Sequence, residues 1–346
     1  MKTLKPFLFF ILLLIPLTGC GNVLYLSKLG WYQASISSLS VPVQKVLEKE
    51  GTGDEIKEKI KFILEVKHYG EERLGLNKTR CYSKMFEVNG PILSAVTASE
   101  KDRLQLYEWR FPLIGKVTYK GFFTKKDALR EQRFLEKKEL DTFVYGVDAY
   151  STLGWLKDPI FSSILKWNEA TLANLILHEM THPTVYFKGK TDLNEQIATF
   201  VGNQGAIHFL TEKFGPGSKE VNEAIYMQED DFLFSYWLDQ ACQRLTRFYA
   251  EKISREEKLK GREEIFKSIQ EEFRRIQTQF RTDQYKGFDK LDLNNAVLLA
   301  YRRYLHRLKK FETLYEHMGR DLRQVVEFFK KIQVSGDEKG LASFLE

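Results

Sequence analysis

The sequence predicts an α+β fold that is mostly α-helical, with one small β-sheet beside a pair of helices. Three observations lead there. Apolar residues recur at helical spacing over 26–67, short β-rich runs cut by Gly and Pro fill 82–123, and the chain beyond Pro216 reads almost wholly as helix. With 346 residues, 43% of them hydrophobic, it can bury a large core and is not a disordered chain. The formal charge of +6 comes from 53 basic and 47 acidic residues spread through the chain. No basic cluster interleaves with aromatics, so nucleic acid is not an expected partner.

Residues 1–20, "MKTLKPFLFFILLLIPLTGC", combine a basic start at Lys2 and Lys5 with an apolar run over 6–17. That run is shorter than the roughly 20 residues a membrane-spanning helix needs, and it matches an export signal. "LTGC" resembles a bacterial lipobox. The resemblance implies cleavage before Cys20 and lipidation of its thiol; a plain secretory signal or an anchor helix is the alternative. Two acyl chains hold a protein firmly, so the expected location is the cell envelope, lipid-anchored to a bacterial membrane outside the cytoplasm. The expected organisation is a lipoprotein signal at 1–19, a helical region at 20–80, a sheet with two site-bearing helices at 81–215, and a helical region at 216–346. Cys81 and Cys242 remain, an even pair that an oxidising compartment could bridge and that could equally stay free.

In chain order, Ile56, Ile60, Ile63 and Leu64 mark an early helix, with Gly51 and Gly53 before it. "ILSAVTAS", "RLQLYEWRFPLIG" and "KVTYKGFF" read as strands. Thr124 and Asp127 open a helix over about 125–139, and "TFVYGVDAYSTL" reads as another strand. Asp158 followed by Pro159 predicts an N-cap and a helix over 158–167. Asn168 caps "EATLANLILHEMTH", and residues 192–213 form the next helix, with Ala198, Gly202 and Ala206 recurring every four residues. Further on, the stripe Leu238, Ala241, Leu245, Phe248 and the seam Phe266, Ile269, Phe273, Ile276, Phe280 predict an antiparallel helical hairpin around Gly261, held by packing.

The chemistry concentrates in "LILHEMTHPTVYFKGKTDLNEQIATFVG". His178 and His182, four apart, share one helix face, so their ring nitrogens can meet at a point about 2.0–2.1 Å away, the zinc–nitrogen distance. Glu179 sits one step round, placed to take a proton from a water held there. A third ligand must come from another element, and Glu195 is the candidate, near the small-residue face that lets a second helix approach. The competing reading makes Glu195 a capping-box partner of Asp192.

"HEMTH" followed by "LNEQIA" resembles the gluzincin metallopeptidases. With "FPLIGKVTYKGFF", "AYSTLGWLKDPIFSSIL" and "NNAVLLAYRRY" in the same order, residues 31–315 resemble a bacterial family described as putative aminopeptidases. The resemblance implies a gluzincin-like fold, Zn2+ held by His178, His182 and Glu195, and hydrolysis of a peptide substrate with Glu179 as general base. Pro183, directly after His182, departs from the pattern: the helix must end or kink there. "NEQIA" also departs from the commoner "NESFA", keeping Glu195 and Ala198.

A three-ligand set leaves a position open, as catalytic zinc sites do. An oxyanion donor is also needed. Tyr304 is one candidate and Tyr150 its rival, each with a plain packing role as the alternative. Tyr186 could line the site, Thr199 could orient a ligand histidine, and "VYGVDAYSTLGW" is either a strand that pairs with an extended substrate or a core strand. Asp148 and Asp158 flank that segment, and nothing in the sequence says that either faces the metal. Two other readings stay open: a non-catalytic surface lipoprotein acting as binder or scaffold, and a zinc endopeptidase or amidase acting on cell-wall peptides.

Overall fold

The computed structural model describes residues 20–111 and 115–345. The expected signal, residues 1–19, lies outside them. The described residues divide into two units, one ending at Leu39 and the other beginning at Ser40. In the first, α1 (Cys20–Leu39) carries exposed Leu24, Trp31 and Leu39. Among the described residues no helix is long and apolar enough to cross a membrane.

The second unit is α+β with helices dominant. It opens with β1 (Val41–Pro42), α2 (Val43–Glu48) and α3 (Asp54–Glu72), whose Ile60, Ile63 and Val66 are fully buried. β2 (Lys84–Phe86), β3 (Leu93–Ser99), β4 (Trp109–Phe111), β5 (Gly115–Val117) and β6 (Tyr119–Phe122) occupy the stretch where alternation predicted strands. α4 (Lys125–Glu136) begins where expected, with Thr124 accepting from the Asp127 amide. β7 (Asp141–Val147) then joins β3 and β6 in an antiparallel sheet of order β6-β3-β7, which places β7 at an edge.

The helix expected over 158–167 does not form. Residues 160–161 make β8 (Ile160–Phe161), pairing in parallel with β2 at Met85, and Ser162–Lys166 form a single 3₁₀ turn. Ile160 and Phe161 are buried in a core strand, and that burial overrides the local capping signal. Asp158 instead accepts from the Thr152 amide and hydroxyl, both at 2.8 Å.

α5 (Glu169–Thr181) starts at Asn168, whose side chain accepts from the Thr171 amide at 2.8 Å. α6 (Thr191–Phe214) lies against it. α7 (Lys219–Tyr249) and α8 (Arg255–Ile276) form a hairpin, but its bend lies at 250–254 and Gly261, expected between the helices, falls inside α8, where a Cβ would stand 2.5 Å from the tip of the Phe248 ring. α9 (Asn295–Leu305), α10 (Leu308–His317), α11 (Leu322–Ser335) and α12 (Glu338–Leu345) complete the chain. One apolar core joins α3, α5, α6 and α11 through Ile63, Leu177, Val201 and Phe329; another joins α7, α8 and α9 through Phe234, Ile269, Phe273 and Val297. Fully burying such a side chain contributes about 1.5–3 kcal/mol, so the predicted stripes are packing surfaces. Cys81 and Cys242 are both free and buried.

Candidate metal centre

Two glycines set how closely α5 and α6 approach. A Cβ on Gly202 would stand 2.9 Å from the Asn174 carbonyl oxygen and 3.2 Å from the His178 Cβ; one on Gly205 would stand 2.8 Å from a Leu177 methyl. Contact this close carries Glu195 of α6 to the histidines of α5. His178 Nε2 lies 3.3 Å and His182 Nε2 3.6 Å from Glu195 Oε2, and one donor atom from each residue falls within 4.8 Å of the others.

The capping-box alternative for Glu195 does not hold. Lys190 is the N-cap of α6, without a capping side chain, and Asp192 sits inside the first turn. Asn194 has the organising role: its amide accepts from Phe187 N–H at 2.8 Å and donates to Phe187 C=O at 2.9 Å, clamping the connecting loop onto the helix start. Pro183 leaves the ligand helix straight through His182, which keeps helical angles of φ −58° and ψ −45°. The orphaned end carbonyls are satisfied locally, Thr184 Oγ1 donating to Met180 C=O and Val185 N–H to Thr181 C=O.

The electrostatics sort the three donors. Burial lowers the His182 imidazole to about 4, the nearby Glu195 charge offsetting only part of it. Burial also disfavours the Glu195 charge, but His182, His178 and Arg303 hold that carboxyl below its ordinary range. His178 is buried as well, yet its hydrogen bond to Glu195 and the carboxylates of Glu179 and Glu195 raise it above the usual imidazole value. Glu179 is pushed up to about 7, by burial first; His178 opposes the rise while Glu195 and Asp158 add to it. Its Oε2 is buried without a hydrogen-bond partner.

The two tyrosine candidates fall on different sides. The Tyr304 ring stands 6.3 Å from the His178 ring. Tyr150 packs against Phe123 and Phe161 and lines a cavity with Glu179, Tyr82 and Asp158. Tyr186 is half-buried, its hydroxyl raised by burial and by Glu195. Thr199 is buried, and among the described residues no hydrogen bond joins it to either histidine. Asp148 is not among the residues lining that cavity.

Sequence reasoning missed Arg303. Fully buried, it donates to Tyr145 Oη and Thr118 C=O, both at 3.1 Å, and to Thr97 Oγ1, while its Nε lies 3.4 Å from Asp192 Oδ1 without hydrogen-bond alignment. It thereby ties the β6-β3-β7 sheet to the first turn of α6, one turn before Glu195. The available signal was its spacing from buried Ala296, Leu299 and Ala300, which puts it on the inner face of α9.

The family described as "putative aminopeptidase" matches residues 24–342, nearly the whole chain. The chain belongs to this family. Its membership supports a peptidase. No curated protein and no solved structure matches the chain.

Proposed function

We propose that the protein is a zinc-dependent peptidase, an aminopeptidase of gluzincin type, held at a membrane outside the cytoplasm through lipidated Cys20. The observation that carries the metal reading is the convergence of His178, His182 and Glu195 within 4.8 Å, with the buried, unpartnered Glu179 Oε2 beside them. The donor chemistry fits zinc. Two imidazoles and one carboxylate are a catalytic zinc set with one position left over; His182 and Glu195 already favour the protonation state that binding requires, and a metal would displace the proton that the neighbouring carboxylates favour on His178.

When bound, zinc supplies a Lewis acid that polarises a carbonyl and eases the ionisation of water. The chain's own groups do the rest. Glu179 accepts the proton of the attacking water at its carboxylate and returns it to the leaving amine. Burial favours that exchange, because a carboxyl poised near neutrality both takes and gives a proton. Tyr304, beside His178, is the donor to the carbonyl oxygen as charge develops there. Tyr150, on the cavity side of Glu179, lines the substrate position.

The test compares two variants with wild type on a peptide panel. Glu179→Gln should lower turnover by on the order of 10²–10⁴ with metal content and thermal stability nearly unchanged, whereas His182→Ala should lose metal as well as activity. Wild-type turnover by Glu179→Gln would remove Glu179 from the mechanism. For the anchor, Cys20→Ala should leave the membrane fraction and take up no fatty-acid label; equal partitioning of both proteins, neither labelled, would refute the lipoprotein reading.

A further inference from the structure

Between β7 and β8 the chain presents two adjacent apolar side chains to solvent: Trp155 is 82% exposed and Leu156 42%. The turn that carries them is tightly held. Trp155 N–H donates to Thr152 C=O at 3.1 Å across Leu153 and Gly154, whose φ angles of +56° and +76° make this a type I′ turn. Gly154 adopts such angles readily, whereas Leu153 does so against the preference of any residue with a Cβ. Hydrogen bonds enforce it. The Thr152 amide and hydroxyl donate to Asp158 at 2.8 Å each, the Leu156 amide to Thr152 Oγ1 at 3.1 Å, and the Leu153 amide to Ser151 Oγ at 3.1 Å. An indole is ordinarily well buried; here a strained, fully bonded turn holds one out in water.

We propose that Trp155 and Leu156 form an apolar subsite for a substrate side chain next to the bond that is cut, so that the protein selects peptides with an aromatic or bulky aliphatic residue there. The proposal rests on the peptidase reading and adds a side-chain preference to it. Position supports it first. Both roots of the turn belong to the candidate site, since Tyr150, Ser151 and Asp158 wall a cavity together with Glu179. The turn also stands against Pro183, which directly follows metal ligand His182: a Cβ on Gly154 would lie 3.2 Å from the Pro183 Cβ.

Size comes second. The cavity at Glu179 offers about 10 Å³, the room a single water needs, so a large substrate side chain must lie outside it, where the apolar tip of the turn is. Chemistry comes third, because a flat, rigid indole on a fixed backbone gives a large contact area at little cost in ordering. A bilayer interface also takes Trp and Leu, but it would not call for a turn whose roots wall the cavity at Glu179.

The test is calorimetric binding of Ala-Ala-Ala, Phe-Ala-Ala and Ala-Phe-Ala to the zinc-loaded full-length protein carrying Glu179→Gln, so that bound peptide is not consumed, with kcat/KM on the same peptides when Glu179 is intact. The better phenylalanine peptide should bind at least about 10-fold more tightly than Ala-Ala-Ala, the scale of one aromatic pair with its buried area. Trp155→Ala should bring the two within about 2-fold and Trp155→Phe should keep most of the difference, both melting with the parent because the indole is exposed. Phe134→Ala, which removes another exposed ring, on α4, should change nothing. No gain for phenylalanine in the parent, a gain that survives Trp155→Ala, or an equal loss in Phe134→Ala would each overturn the proposal. So would a Trp155→Ala protein that keeps its peptide preference but loses binding to phosphatidylglycerol vesicles, which would make the turn a lipid contact. The two readings fail separately: equal binding and equal kcat/KM on all three peptides overturn the subsite and leave the peptidase, whereas Trp155-dependent binding with no peptide hydrolysed overturns the peptidase and leaves the subsite.

Discussion

Gly202→Ala should weaken metal binding although it touches no ligand's donor atom. The new methyl would sit 2.9 Å from the Asn174 carbonyl oxygen, 3.1 Å from Asn174 Oδ1 and 3.2 Å from the His178 Cβ. Restoring ordinary contact takes roughly half an ångström, and the nearest obstacle is helix backbone, so α5 must back away from α6. Overpacking of this kind costs about 1–3 kcal/mol, of which the better helix propensity of Ala returns about 0.8–1 kcal/mol. The metal-free protein should therefore lose at most about 2 kcal/mol. Metal geometry tolerates only about 0.2 Å, so pulling His178 from Glu195 should lower zinc affinity about 10–100-fold. Gly205→Ala is the control, because its obstacles are the Leu177 and Leu74 methyls, ends of side chains that can rotate away. Competition against a chromophoric chelator gives the affinities, and thermal unfolding the stabilities. Wild-type zinc affinity in Gly202→Ala, or an equal loss in Gly205→Ala, would refute helix approach as the device that aligns the site.

Cys81 and Cys242 are free and buried, and burial raises both thiols, Cys242 to about 12. Reductant should leave the melting temperature unchanged, and iodoacetamide at pH 8 should label the two only after denaturation; a reductant-sensitive melt would mean a bridge. Asp231, buried among Asn203, Gln284 and Tyr285, is pushed up to about 6 by burial, the three hydrogen bonds only partly offsetting it. Its folded value exceeds the ordinary 3.8, so its contribution to stability is full below that value and is lost as pH rises through about 6. The loss is of the order of 3 kcal/mol, and the unfolding curves of wild type and Asp231→Asn should diverge between pH 4 and 6.5. Parallel curves would contradict the shift.

What the sequence made legible was local. Thr124 and Asn168 each cap a helix through bonds within three residues, and the four-residue spacing of His178 and His182 is a property of one helix. Glu195 required a step between helices, carried by the small residues at 198, 202 and 206. The failures are non-local. Asp158 reads as a cap beside Pro159, but the residues after it are claimed by pairing with Met85, far back in the chain. Arg303 and Arg302 are equivalent as charges, and only the sheet packed against α9 makes one a buried clamp and the other a partner of Asp239. For the same reason the sequence left Tyr304 and Tyr150 as rivals, whereas the fold puts one beside His178 and the other across Glu179.

The most direct measurement is metal content together with peptide turnover on protein purified without chelator. The account predicts about one zinc per chain, turnover abolished by chelation and restored by zinc, and both metal and turnover lost in His182→Ala and Glu195→Ala. A folded, metal-free sample that hydrolyses peptides as fast as the zinc-loaded one would contradict it.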